Sequence, residues 1–185
     1  MGKTFDGIDD KLRGFIEAQP VFFVATAPIA ADGHINLSPK GMGALKVLDQ
    51  STVAYLDLTG SGIETISHIQ ENGRIVVMLC AFDGPPRIVR LHGRGEALMA
   101  DTDGFEELAR LFPASEGRRA IIRVRVDRVA DSCGYGVPLM NYAGERPQMP
   151  DWVERKGGRE GILAYQDEKN AASIDGLLGL GPDDA

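Results

Sequence analysis

Cysteine is scarce in this chain, with two in 185 residues. That excludes a disulfide scaffold and a thiolate metal centre, both of which need more thiols at set spacings. Cys80 sits inside the apolar run Val76 to Phe82 and reads as a buried, reduced thiol, and Cys133 sits in a glycine-rich stretch. His34, His68 and His92 lie far apart and show no ligand spacing, so no metal is expected. Long hydrophobic runs are also missing. None approaches the ~20 residues of a membrane span, and Met1 to Asp6 lacks the apolar core of a signal peptide. A soluble, cytoplasmic protein is therefore expected. Positive charge is in deficit: 20 Lys and Arg against 27 Asp and Glu leave −7. That argues against nucleic acid or an anionic membrane as a partner, while leaving room for a local cationic pocket. No HExxH, CxxC, Walker or nucleophile-elbow signature occurs, so no catalytic residue follows from motif.

What is present is a core-forming composition, 43% hydrophobic and 25% charged, in a length that suits one domain. An opening helix is expected, with Asp6 as N-cap and Ile8, Leu12, Phe15 and Ile16 at helical spacing before Pro20. Short β-branched or alternating runs then predict six strands: 21–27, 34–38, 52–58, 74–82, 87–98 and 120–129. Asp32-Gly33 marks the first hairpin. A helix is expected over 63–72, closed by Gly73, and another over 101–112, stopped by Pro113. Mostly consecutive strand pairs with short helices point to a mainly β, six-stranded antiparallel barrel rather than a βαβ fold. Residues 1–135 are read as this barrel. Residues 136–185 are read as an extended arm of the same domain, with one short helix near 161–170 and an apolar tail at Leu177, Leu178 and Leu180 that needs cover.

Two segments carry possible chemistry. Asn36-Leu37-Ser38-Pro39-Lys40-Gly41 ends a hairpin strand and sets a lysine at its mouth, suited to an anion. Leu58-Thr59-Gly60-Ser61-Gly62-Ile63-Glu64-Thr65 joins a strand to a helix, where glycines admit a ligand and a helix N-terminus offers free N–H groups. Each also reads as an ordinary connector; together they read as a phosphate site. Arg90, His92 and Arg94 alternate onto one face of their strand, either a solvated outer face, an interface or an anion pocket. Trp152, the one tryptophan, reads as a packing anchor in the arm, or else as a ring that reaches over a bound ligand.

In order, VFFVATAP, INLSPKG, VAYLDLTGSGIET, ENGRIVVMLCAF, PPRIVRLHGRGEA and IIRVRVDRV resemble the pyridoxamine 5′-phosphate oxidase-related family of FMN-binding split barrels, over about residues 7–130. The ending NAASIDGLLGL is similar to one subgroup. The resemblance implies a split β-barrel homodimer with FMN at the subunit interface. It implies cofactor contacts from Asn36, Ser38, Pro39, Lys40 and Gly41, then from Tyr55 and Leu56, with Ser61, Gly62, Glu64 and Thr65 in the phosphate turn. Arg87 would reach the partner subunit's cofactor. The true oxidases carry an Arg-Lys pair where this chain has Glu64-Thr65, and their C-terminal substrate signature is absent, so pyridoxamine 5′-phosphate is not the expected substrate. The resemblance implies an FMN-dependent oxidoreductase acting on a small molecule. The alternatives are an F420-dependent reductase of the same superfamily, or a non-catalytic flavin or haem carrier.

Overall fold

A computed structural model of the chain describes residues 2–100 and 102–180. The order is β1 (Thr4–Phe5), α1 (Asp10–Ala18), β2 (Phe22–Thr26), β3 (Asn36–Lys40), β4 (Leu45–Asp49), β5 (Thr52–Leu58), α2 (Glu64–Asn72), β6 (Arg74–Cys80), β7 (Ile88–Met99), α3 (Phe105–Ala109), β8 (Arg118–Ser132), α4 (Gln148–Arg155) and α5 (Gly158–Lys169). The N-cap of α1 is Asp9, not Asp6: its carboxylate accepts the Leu12 N–H at 2.8 Å, which leaves Leu12 and Ile16 buried as the spacing predicts. Gly73 closes α2 at φ 70°, a left-handed conformation that glycine adopts without strain.

All strand pairs are antiparallel, in the order β3-β2-β6-β7-β8-β5-β4, with β1 added to β8. The two ends of that path, β3 and β4, are joined by residues 41–44 alone. Such a short link can connect opposite sheet edges only if the sheet rolls up until they nearly meet. Two contacts across the interior agree: Phe22 on β2 and Tyr55 on β5 stand edge to face at 5.5 Å, and Lys40 on β3 reaches Asp57 on β5. Since β3 and β4 do not pair with each other, the barrel is split along that seam. Its filling is one apolar cluster that includes Val24, Val53, Tyr55, Val77, Leu91 and Ile122, plugged by Leu12 and Ile16 of α1 and by Ile66 of α2.

The mainly β fold class holds, but the described residues form eight strands where six were expected. β4 is five residues long and pairs only with β5, and Gly41 and Gly43 beside it read as loop. Only Leu45 and Val47 turn inward, which is too brief an alternation to stand out. β1 has two residues and carries no periodicity at all. In the helix expected over 101–112, the first residue lies outside the described residues and the helix is confined to Phe105–Ala109. Arg90, His92 and Arg94 do share the outer face, opposite buried Val89 and Leu91, and the neighbouring Arg123 pairs with Glu96 there.

Beyond β8 there is no helix or strand until Pro147, and then two helices instead of the one expected. α4 was hidden by its prolines. Pro147 is the N-cap and Pro150 lies in the first turn, where a missing N–H breaks no helical bond. After α5 the chain doubles back, with Gly179 N–H bonding Ala171 O at 2.9 Å and Leu180 N–H bonding Asn170 O at 2.7 Å. Leu180 packs on the core, whereas Leu178 stays exposed.

Candidate functional site

The two motifs at Lys40 and Gly60–Thr65 meet at one end of the barrel. Lys40 Nζ donates to Asp57 Oδ1 at 3.1 Å, and Arg119 Nε donates to Asp57 Oδ2 at 2.8 Å. Asp57 is fully buried. Burial pushes its carboxyl upward, but the Arg119 and Lys40 charges act against it and hold it below the usual carboxylate range. A buried anion between two cations is therefore the keystone of this end.

Arg119 also reaches the turn. One of its terminal N–H groups donates to Gly62 O at 2.8 Å and to Asn170 Oδ1 at 3.0 Å. Asn170 Nδ2 in turn donates to Gly60 O at 2.9 Å and to Ser61 O at 3.3 Å. Gln166 Nε2 donates to Thr59 Oγ1 at 2.6 Å. The carbonyls of Gly60, Ser61 and Gly62 are thus all held from the protein side. In a trans peptide the N–H points opposite to the C=O. The N–H groups of Ser61, Gly62 and Ile63 therefore face away from those donors, and they bond to none of the described residues. The first N–H groups of α2 continue the array, since a helix leaves them without an internal partner. A run of unpartnered backbone donors at a helix N-terminus suits one small anion.

Beneath the turn runs a buried polar chain. Asn36 Nδ2 donates to Thr65 Oγ1 at 2.9 Å and to Thr26 Oγ1 at 3.1 Å, and Thr26 Oγ1 meets His68 Nδ1 at 2.9 Å. Burial lowers the pKa of His68, so its imidazole is neutral at pH 7. Tyr55 Oη and Ser38 Oγ are buried with no hydrogen-bond partner among the described residues. Burial, then the Asp57 charge, push the Tyr55 phenol well above its ordinary value, so it is a neutral O–H. Lys40 Nζ lies 5.7 Å from the centre of the Tyr55 ring.

Next to Lys40 opens a cleft of about 750 Å³, within the usual range for ligand pockets. Lys40, Gly41, Thr59 and Gly60 form its barrel wall, and Trp152 and Tyr165 of the arm form the other. Those two rings stack edge to face at 5.1 Å, so Trp152 anchors α4 on α5 and also walls the cleft. The turn out of β3 borders it too. Met42 sits there at φ 61°, which is unusual for a side-chain-bearing residue.

Of the residues named from sequence, Asn36, Tyr55 and Thr65 lie in or beside the buried polar layer, while Pro39, Lys40 and Gly41 line the cleft. Ser61, Gly62 and Glu64 lie at the donor turn, and Ser38 contributes its unpartnered hydroxyl. Leu56 is buried, its N–H bonded to Ala44 O. Arg87 is not brought to this cluster within one chain. It pairs with Asp131 at 2.9 Å and lies over the Phe15 ring at 5.1 Å. The cation that does reach the turn is Arg119. Sequence reading missed it together with Asp57, Gln166 and Asn170. Asp57 left one signal, a carboxylate in the otherwise apolar run Val53 to Leu58.

The pyridoxamine 5′-phosphate oxidase family model matches residues 8–133, more than half of the chain. The chain belongs to the pyridoxamine 5′-phosphate oxidase family. It is 38% identical, over 192 aligned positions, to the pyridoxamine 5′-phosphate oxidase family protein ustO of Aspergillus flavus, covering 95% of this chain and 77% of that protein. Among solved structures it is similar in fold to HupZ of Group A Streptococcus, with a TM-score of 0.52 and 22% identity over 66% of this chain and 91% of that one. It is likewise similar to the FAD binding protein from Mycobacterium smegmatis, with a TM-score of 0.50 and 13% identity over 70% of this chain and 97% of that one. These likenesses show the split-barrel fold. The family match includes the β3 mouth, the α2 turn, Asp57 and Arg119, and it ends before the arm that carries Trp152, Gln166 and Asn170.

Proposed function

We propose that this protein binds FMN at the β3–α2 end of the barrel and acts as an FMN-dependent oxidoreductase on a small molecule. The observation that carries the reading is the anion cradle, the unpartnered N–H groups of Ser61, Gly62 and Ile63. Family membership supports it, as does the likeness in fold to an FAD binding protein. The residues fit the group. A single terminal phosphate suits a cradle with few donors, the cleft accepts a planar ring, and Tyr55 and Ser38 offer unpartnered hydroxyls nearby. Bound flavin would supply the electron or hydride transfer, with the protein binding, orienting and tuning it. Ser61, Gly62 and Thr65 would hold the phosphate. Lys40, kept in place by Asp57, would lie against the ring system, and Trp152 would restrict water and substrate access.

Glu64 sets the strength of this site. A Cβ built on Gly62 would lie 2.5 Å from Glu64 Oε2, so the carboxylate rests on the turn itself. Lys40, Arg119, Asp57 and Glu64 together sum to zero charge, so phosphate affinity would rest on oriented N–H groups more than on net charge. Titration of the purified protein with FMN, read by flavin fluorescence, is the test. Lys40→Ala and Thr65→Ala each weaken binding about ten-fold, the effect of roughly 1.4 kcal/mol. Glu64→Gln tightens it several-fold by removing a repelling charge. If Lys40→Ala and Thr65→Ala both bind like the parent, the site is misplaced.

The reading includes a homodimer. β3 ends the strand order with an unpaired edge, and Ile35 and Leu37 on or beside it are 77% and 65% exposed. A second copy seated there would cover them. Light scattering reads the mass directly, and a monomer at micromolar concentration removes this part of the reading.

A further inference from the structure

We infer that Asn170, in the C-terminal arm, is a positioning residue for the anion cradle, so that docking of the arm and binding of the cofactor's phosphate are coupled. The inference rests on the flavin reading above and adds to it a part of the chain that lies outside the family match.

A loop with two glycines in three residues has many conformations, and fixing it for a ligand is entropically costly. Here the loop is fixed before any ligand arrives. Three consecutive carbonyls, Gly60, Ser61 and Gly62, are held by two side chains, Asn170 and Arg119. Asn170 is fully buried, makes the Gly60 and Ser61 bonds, and is itself held by its neighbours. Its Oδ1 accepts from Arg119, its own N–H bonds Gln166 O at 2.8 Å, and its O accepts the Leu180 N–H. The amide cannot swing away without breaking the Arg119 bond, and turning it over would aim its acceptor at two carbonyls. Its orientation, and hence that of the turn's N–H groups, is dictated by the surrounding network.

The arm meets the cradle at three separate points. Gln166 holds Thr59 on the strand side, and Asn170 holds the middle of the turn. Gly179 passes so close that a Cβ there would collide with Asn170 O and lie 2.9 Å from Ile63 Cγ1. Beyond these, Asp175 accepts the His34 N–H at 2.7 Å and pairs with its ring, tying the returning tail to the β2–β3 hairpin. Among the described residues, the side chains that hold the turn's carbonyls are Arg119 of the barrel and Asn170 of the arm. Without the docked arm the Gly60 and Ser61 carbonyls lose their donor, and their peptides are free to rotate. By linkage, whatever factor docking adds to phosphate affinity, bound phosphate adds to docking.

FMN and riboflavin separate this role from a structural one, because they share the ring and differ in the phosphate. The parent binds FMN more tightly than riboflavin. Asn170→Ala weakens FMN about ten-fold, within the usual range of coupling between sites, and leaves riboflavin unchanged, so the preference collapses. Gln166→Leu loosens the arm but leaves the carbonyl clamp, and it keeps most of the preference. Asn170→Asp, which retains volume and the Arg119 bond but loses both donors, repeats the Asn170→Ala result if the alanine variant fails to fold. Hydrogen exchange on the unmodified protein gives the reciprocal reading: FMN, and not riboflavin, slows exchange over 158–180. A parent that does not prefer FMN to riboflavin overturns the phosphate reading and this inference with it. A parent with the preference, kept intact by both Asn170 variants, overturns this inference alone.

Discussion

Arg119→Met lowers the melting temperature by roughly 6–20 °C. The Arg119 side chain is 5% exposed and its partner Asp57 is wholly buried, so the substitution removes the nearer counter-charge from an anion that water cannot reach. Lys40, at 3.1 Å and 19% exposed, is left as the sole compensation. Breaking a buried pair from one side costs about 3–5 kcal/mol, and each kcal/mol moves the midpoint of a domain this size by about 2–4 °C. The double variant Arg119→Met with Asp57→Leu recovers most of the loss, since an apolar pair of similar volume needs no compensation and Lys40 can turn to solvent. Flavin affinity does not recover with it, because the Gly62 carbonyl still has no donor. Melting curves and FMN titrations on the same three variants separate the two effects. A single variant within about 1 kcal/mol of the parent would show that Asp57 is not ionised in the fold.

That experiment addresses residues that reading along the chain could not assemble. The strands were legible where apolar positions alternate or run together for seven residues or more, as in β5, β6 and β7, and where glycine and proline punctuate them. β4 was not, because two inward residues make no pattern, and α4 was not, because its prolines carry opposite meanings inside a helix and at its start. The Lys40 mouth and the Gly60–Gly62 turn could be picked out because each is local: residue types within a few positions suffice to suggest an anion. The clamp behind them is the opposite case. Arg119 reaches Asp57 across 62 positions and Asn170 reaches Gly60 across 110. An asparagine after a helix reads as an ordinary C-terminal cap, and only the returning arm makes it part of the turn. Arg87 shows the same gap from the other side: a cation at a suggestive place in the motif order finds its partner in Asp131.

Asp57→Asn is less stable than the parent at pH 7 by about 3 kcal/mol, since Arg119 is then buried opposite a neutral amide, and the difference closes as the pH falls. The direction follows from the carboxyl's lowered pKa. In the unfolded chain an aspartate titrates near 3.9, and in the fold Arg119 and Lys40 bring it lower. Below the unfolded value the open chain takes up the proton first, so the folded form loses ground as the pH drops through the folded value. The contribution is complete above about pH 5. Asp131, Asp49 and Asp175 are lowered as well and erode the parent's stability in the same window, so the parent's acid limb alone does not isolate Asp57. They are present in both proteins, and the difference between parent and variant removes them. Urea midpoints measured from pH 7 down to pH 3 give that difference, and a gap that stays constant over the range would mean that the carboxyl is already protonated at neutral pH.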